Sequence, residues 1–581
     1  MNILSINHGI GPSICLLKGN KVLFAIEEER LNREKNTMGF PKLALQLVSK
    51  EYSKFIKSVN IVAVANHQFI EDNKTRFRKK YYDNFYGKTI QKRVLDFAWV
   101  IKKKINFFPK SKENNNEQIA VKSLTLKYCK NLKKKTNFHF FKHHDCHAAA
   151  AYYGLAKNFD KPYLVLTLDG GGDGENATVQ IGQFGKLKRL SSTPSGNSIG
   201  NLYSITTFLL GLTPHEHEYK LMGLAAYVPN IFKKKTAKIF SKYLNIDENN
   251  NLNFKAAQNI KTNKVHKLLF KDFELERFDN IAGGLQLFTE ELVIKWIKNC
   301  IKQTGVMDIL LSGGVFMNVA MNKKIAEMTE VNTVDVFPSC GDETNSFGAA
   351  FLLNAMHTKK LPNFNSFMLG STASMNKQTV RKYKNKCLFL KVKNTDLAAA
   401  KLLAKGKIIG KCDGPMEFGA RALGNRSVLA DPRIFECVER INASIKQRDF
   451  WMPFAPAILI DEAEKYVKIP KSLKFKKNPS PYMMFVMDSK ENKQSDMIAA
   501  LHKFDKSARV EIVDNIHAPK LYNTISYFKK LTNRSCLLNT SFNIHGFPIV
   551  RTAEEAIKVL LDSSLDALVV EGYIITKRKE K

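Results

Sequence analysis

The sequence runs to 581 residues, 44% of them hydrophobic, which is enough for two or three domains with sizeable cores and excludes a disordered chain. Its 91 Lys and Arg against 54 Asp and Glu give a formal net charge of +37, a field that attracts phosphates, nucleic acid, anionic membrane or acidic glycans. No apolar run approaches the roughly 20 residues of a membrane span, no leader pattern precedes the first strand, and nine scattered cysteines read as free thiols, which together predict a cytoplasmic protein.

In chain order, MNILSIN, SICLLKG and KVLFAIEEE predict three short strands, the last two joined by a Gly-Asn turn. A lysine-rich stretch over residues 74–135 reads as a solvated basic insertion rather than a base-stacking face, so nucleic acid is not an expected partner. Next comes FFKHHDCHAAAAYYGLAKNFDKPYLVLTLDGGGD. His143 and His147 are four residues apart on a predicted helix, which stacks both imidazoles on one face, as a mononuclear metal site requires. Cys146 points off that face, so zinc bound through it is not expected. The apolar run YLVLTL predicts a buried strand that delivers Asp169. YLVLTLD, ATVQIGQFG and KLKRLSSTP then repeat the opening triplet, which suggests a duplication with two lobes facing one cleft and glycine-rich turns that hold phosphates.

Gly200 and Gly211 bracket an apolar helix, and Glu218, Lys220 and Gly223 follow in what reads as a polar-to-glycine turn. DILLSGGVFMNVAMNKKI predicts a strand, a Gly313-Gly314 turn and a helix, an arrangement that suits a nucleotide approaching the backbone. VDVFPSCGDETNSFGAAF is strand, sharp turn, Asp342 and helix. Two histidines and two strand-end aspartates make a set for a redox-capable divalent metal beside a phosphate-bearing ligand. The periodicity breaks over residues 361–374, the expected boundary between a first domain (1–362) and a second (363–581). Beyond it, Arg421, Lys446, Arg448, Arg509, Asn543 and His545 stand among glycines and small hydroxyl residues, as phosphate and acyl-phosphate binding requires.

Nine motifs make the sequence recognisable over nearly its full length. They are EEERLNREK (27–35), HHDCHAA (143–149), LTLDGGGD (166–173), EYKLMGLAAY (218–227), LSGGVFMN (311–318), PSCGDETNSFGAA (338–350), MEFGARALGNRSVLADPR (416–433), PFAPAIL (453–459) and LLNTSFNIHGFPIV (537–550). The chain resembles the NodU/CmcH/TobZ family of O-carbamoyltransferases. The resemblance implies an α/β protein, with an actin-like (ASKHA) N-terminal domain followed by a YrdC-like domain with a mixed sheet. It implies that the second domain hydrolyses carbamoyl phosphate and joins carbamate to ATP with magnesium, giving carbamoyl-adenylate and pyrophosphate. The first domain would then pass the carbamoyl group to a substrate hydroxyl, with ferrous iron near the adenylate phosphate.

Position by position, the resemblance makes His143, His147, Asp169 and Asp342 the iron ligands. His8 becomes the base for the acceptor hydroxyl and Lys220 the second catalytic residue. Arg33, Gly313, Gly314 and Asn318 would contact the adenylate, and Arg421, Lys446, Arg509, Asn543 and His545 would cradle carbamoyl phosphate and ATP. The first loop reads GIGPS where the family often has an Asp, Met452 stands where Arg is common, and His545 and Phe547 replace a common Arg and Glu. The acceptor would be a hydroxylated small molecule, anionic or sugar-linked if the basic insertion faces it, and a homodimer is the default assembly. Two other readings use the same folds: a threonylcarbamoylation enzyme acting on tRNA, and a binding protein that has lost the chemistry. Fusion of both domains in one chain weighs against the first, and retention of all four presumptive ligands against the second.

Overall fold

The computed structural model describes residues 1–67, 81–83, 110–358, 360–362, 364 and 366–578. Most of the basic insertion expected over 74–135 lies outside these residues. Two five-stranded sheets organise the N-terminal half. The first contains β1 (Asn2–Asn7), β2 (Ser13–Lys18), β3 (Lys21–Glu27), β4 (Ile61–Ala65) and β5 (Asn137–Phe141), in the order β3-β2-β1-β4-β5. The second contains β6 (Tyr163–Gly172), β7 (Glu175–Gln183), β8 (Lys186–Pro194), β9 (Asp308–Ser312) and β10 (Thr333–Val336), in the order β8-β7-β6-β9-β10. In both, three antiparallel strands are followed by two parallel ones. The duplication read from the strand triplets therefore extends to whole sheets, the arrangement of an actin-like domain.

Each sheet feeds a helix that crosses to the other. Helix α1 (His143–Leu155) follows β5 yet packs on β6 and β9, whereas α5 (Asn345–His357) follows β10 and packs on β1 and β4. The two helices also lie against each other, and Ala148 to Ala151 are fully buried there. A helix buried all round needs no polar face, which is why the alanine run suits it. Cys146 belongs to the same apolar cluster. Each of the nine cysteines is buried and unbridged.

Between the sheets' strands run α2 (Ile199–Leu209), α3 (Glu218–Ala225) and, just after β9, α4 (Val319–Ala326). Residues 218–223, read from sequence as a turn, form the body of α3. Gly223 misled the reading: it is a packing position, since a Cβ there would lie 2.9 Å from Met452 Sδ. Glu218 in the first turn favours the helix, opposite the positive end of its dipole.

The C-terminal half carries an eight-stranded mixed sheet. Its order is Cys387–Lys391, Tyr573–Lys577, Ala567–Val570, Ile409–Cys412, Arg426–Ala430, Cys536–Ser541, Ala455–Leu459 and Glu511–Val513. A smaller three-stranded sheet, Val467–Lys468, Val486–Ser489 and Ser507–Arg509, leans on α4, where Lys323 Nζ meets Asp488 Oδ1 at 2.5 Å. The halves share apolar core: Phe367, Phe418 and Leu423 pack with Phe337 and Phe347, the Phe347 and Phe418 rings 4.8 Å apart. No described helix is long and apolar enough to cross a membrane.

Candidate active site

Two helix N-termini and one strand end converge on four side chains. His143 opens α1 and His147 lies one turn further, while Asp342 begins the short 3-10 turn that leads into α5. Asp169 sits where the β6–β7 ladder loses register, between Leu168 and Gly172, so its side chain turns inward. His143 Nε2 and His147 Nε2 are 3.1 Å apart. They lie 3.3 and 3.2 Å from Asp169 Oδ2, and 3.4 and 3.5 Å from Asp342 Oδ1. Metal bonds of about 2.1 Å produce donor–donor edges of roughly 3.0 Å in an octahedron and 3.4 Å in a tetrahedron. The spacing is that of a coordination sphere, and two imidazoles with two carboxylates suit a divalent first-row metal.

The surroundings aim the imidazoles. Asn66 Nδ2 donates to Asn7 Oδ1 at 3.0 Å and to the His8 carbonyl at 2.9 Å, which leaves its Oδ1 facing His143 Nδ1 at 2.8 Å. An acceptor there requires the proton on Nδ1 and turns the Nε2 lone pair toward the carboxylates. His147 Nδ1 lies 3.3 Å from Ser312 Oγ. Asp173 caps α1, accepting from the His143 N–H at 2.9 Å and the His67 N–H at 3.1 Å.

Electrostatics point the same way. Burial alone would keep His143 neutral, but the carboxylates of Asp342 and Asp169 lift it to about 9. Burial pushes Asp342 up, and the Asp169 charge adds to this. Burial opposes ionisation of Asp169 as well, yet its bonds with His143 and His147 hold it well below the usual carboxylate range. The site concentrates negative potential that a cation satisfies in place of protons.

Asp169 and Asp342 line a cavity of about 1120 Å³, whose lining also includes Arg421, Arg448, Arg509, Ser541 and Asn543 from the C-terminal half. Burial lowers Arg448 to about 10, and burial together with the charges of Arg421 and Arg448 takes Arg509 well below the usual guanidinium range. The Nε atoms of Arg421 and Arg509 are buried without a hydrogen-bond partner among the described residues. Arg448 donates to the Pro453 carbonyl at 2.7 Å and to Thr540 Oγ1 at 3.2 Å, with its guanidinium 4.6 Å from the Phe454 ring centre. Three half-buried arginines lining one cavity offer donors suited to an anion.

The remaining residues singled out from sequence occupy varied places. Lys446 is buried, its Nζ donating to Ser541 Oγ at 2.9 Å and Asn543 Oδ1 at 2.7 Å. His545 is exposed, outside the cavity lining. Gly314 and Asn318 line the cavity. Asn318 also caps α4 through the Met321 N–H at 3.0 Å, and Gly313 has a φ of 111°. His8 is buried at the end of β1, and burial lowers it to about 4. Arg33 reaches across the junction, donating to the Pro548 and Ile549 carbonyls at 2.8 Å each and pairing with Glu555 at 3.1 Å. Lys220 pairs with Asp449 Oδ2 at 2.9 Å, also across the junction. Met452 lines the cavity and packs on Gly223.

Sequence reasoning passed over Asn66, Asp173, Lys35 and Tyr219. Asp173 closes the LTLDGGGD motif and Lys35 closes EEERLNREK, so both were within reach. Lys35 and Tyr219 join the cavity wall from the N-terminal half.

The family model described as carbamoyltransferase N-terminus matches residues 6–351, and that described as carbamoyltransferase C-terminus matches residues 400–577. An uncharacterized protein of Methanocaldococcus jannaschii is 31% identical, the alignment covering 96% of each chain. Nodulation protein NolO of Bradyrhizobium diazoefficiens is 30% identical over 75% of this chain and 79% of its own length. The solved structure of full-length HypF in the phosphate- and nucleotide-bound form covers 62% of this chain and 56% of its own at 14% identity. Its TM-score of 0.33 is too low to bear on the fold.

Proposed function

The chain belongs to the carbamoyltransferase family, and from that premise we propose that it carries a carbamoyl group from carbamoyl phosphate to a hydroxyl in two stages, the first of which consumes ATP. At the arginine wall, carbamoyl phosphate is hydrolysed to carbamate. A carbamate oxygen then attacks the α-phosphorus of ATP, pyrophosphate leaves, and carbamoyl-adenylate forms. Arg421, Arg448 and Arg509 offset charge on the transferring oxygens, and Lys446 holds the Asn543 and Ser541 side chains in place.

At the tetrad, an acceptor hydroxyl attacks the carbamoyl carbon and AMP leaves. A divalent metal held by His143, His147, Asp169 and Asp342, with ferrous iron the expected ion, would neutralise the adenylate phosphate and polarise the leaving group. His8 is neutral at pH 7 and is the proposed base. The nearby Asp173 charge favours the imidazolium that forms as the hydroxyl proton moves. The acceptor is proposed as a hydroxylated, sugar-bearing small molecule.

One observation carries this reading: a single cavity is lined by the carboxylates of the tetrad and by the three guanidiniums. The test is to incubate the protein with ATP, magnesium and carbamoyl phosphate and to follow pyrophosphate. Release that depends on carbamoyl phosphate is the expected result. Release of equal rate without carbamoyl phosphate, or none from folded protein that binds ATP, would refute it.

A further inference from the structure

Helix α3 belongs to the N-terminal half by sequence, yet its first turn faces the arginines of the C-terminal half. The neighbours of Tyr219 in this turn are all engaged. His217 Nδ1 accepts from the Thr213 N–H at 3.1 Å, Glu218 Oε1 accepts from Ser204 Oγ at 3.1 Å and from the His215 N–H at 2.6 Å, and Lys220 pairs with Asp449. Tyr219 itself is 40% exposed and lines the cavity, and its hydroxyl has no hydrogen-bond partner among the described residues. Its phenol is an electrostatic neighbour of Arg421, Arg448 and Arg509 together.

The helix is latched where it stands. Trp451 Nε1 donates to the Lys220 carbonyl at 3.1 Å, and His502 Nε2 lies 3.1 Å from the Gly223 carbonyl. With the Lys220–Asp449 pair and Met452 against Gly223, α3 is tied to two separate segments of the C-terminal half. A rigid phenol on a fixed helix is a directed donor that loses little entropy on binding.

We propose that Tyr219 is a phosphate-binding residue of the C-terminal centre, supplied by the N-terminal half, its hydroxyl donating to a phosphoryl oxygen held by Arg421, Arg448 and Arg509. The inference rests on the arginine wall being a phosphate site. A neutral donor suits the fourth position, since another cation would add repulsion to three that already line the same cavity. The centre is then complete only with the halves closed on each other, so the Lys220–Asp449 latch governs phosphate affinity at a distance from the phosphate.

The test uses the full-length chain and inorganic phosphate as probe, titrated calorimetrically. Tyr219→Phe keeps the ring, and the thermal midpoint is expected to stay put. Its Kd for phosphate should rise about tenfold, the loss of one charge-assisted hydrogen bond. Asp449→Asn should raise the same Kd several-fold with Tyr219 intact, roughly in line with a loosened positioning contact. In pyrophosphate release, Tyr219→Phe should raise the KM for carbamoyl phosphate by a similar factor with kcat little changed. An unchanged phosphate Kd in Tyr219→Phe overturns the proposal, as does a wild-type chain that binds no phosphate. Phosphate binding that responds to Tyr219→Phe in a chain that releases no pyrophosphate would support this assignment while refuting the two-stage reaction.

Discussion

Asn66 touches none of the carboxylates, but it fixes which nitrogen of His143 carries the proton. Its amide is oriented by the Asn7 and His8 oxygens, so its own oxygen must face Nδ1. Removing a partner of this kind typically costs a factor of about 10–100 in metal affinity. Asn66→Ala should therefore weaken ferrous or zinc binding by that factor in a chelator competition, with the four donors intact; equal affinity would contradict the assigned tautomer. His8 makes a separate, titratable prediction. Its folded pKa of about 4 lies below the unfolded value of 6.5. Above pH 6.5 both states are neutral and stability is unaffected. As pH falls from 6.5 toward 4, the unfolded chain takes up a proton that the buried ring refuses, so stability falls, by about 3 kcal/mol in total. In urea unfolding, the wild type should lose that much more than His8→Asn over this window, whereas parallel curves would show that the ring is not desolvated.

The crossing of α1 and α5 is the element-scale feature that assembles the tetrad, because it brings the start of one helix beside the approach to the other. A close approach is at Gly348, where a Cβ would lie 1.8 Å from the Cys146 carbonyl oxygen. Overpacking of this kind costs on the order of 3 kcal/mol. Gly348→Ala should lower unfolding stability by about that much and weaken metal binding as His143 and Asp342 move apart; wild-type values for both would show that the helices can part freely. The same crossing explains what the sequence revealed. The four tetrad residues were legible because helical spacing and a place shortly after an apolar run are local properties, although Asp169 lies inside β6 and Asp342 lies beyond the end of β10, and the duplication was legible because each sheet starts with a contiguous triplet. Residues 218–223 were misread because Gly223 is there for Met452, more than two hundred residues away. Asn66 owes its place to contacts between elements that no window of sequence contains, whereas Lys35 and Tyr219 stand in recognisable motifs and only their place in the shared cavity was hidden. Arg33 and Lys220 sit in recognisable motifs, but their partners Glu555 and Asp449 lie in the other half.

At the scale of the molecule, the halves are joined by a common aromatic core, by charged and polar contacts at Arg33, Lys220 and Trp451, and by the cavity they jointly line. On the proposed route, an intermediate made at the arginines would form in the cavity that the tetrad carboxylates also line. The proposed reaction divides labour across that cavity, with adenylation at the arginines and transfer at the tetrad. Its most direct test is single-turnover pyrophosphate release from ATP and carbamoyl phosphate, measured side by side for the wild type, His143→Ala and Arg509→Ala. His143→Ala should release pyrophosphate at close to the wild-type rate, while Arg509→Ala should fall by about a hundredfold or more. Equal losses in both variants, or a loss confined to His143→Ala, would contradict that division of labour.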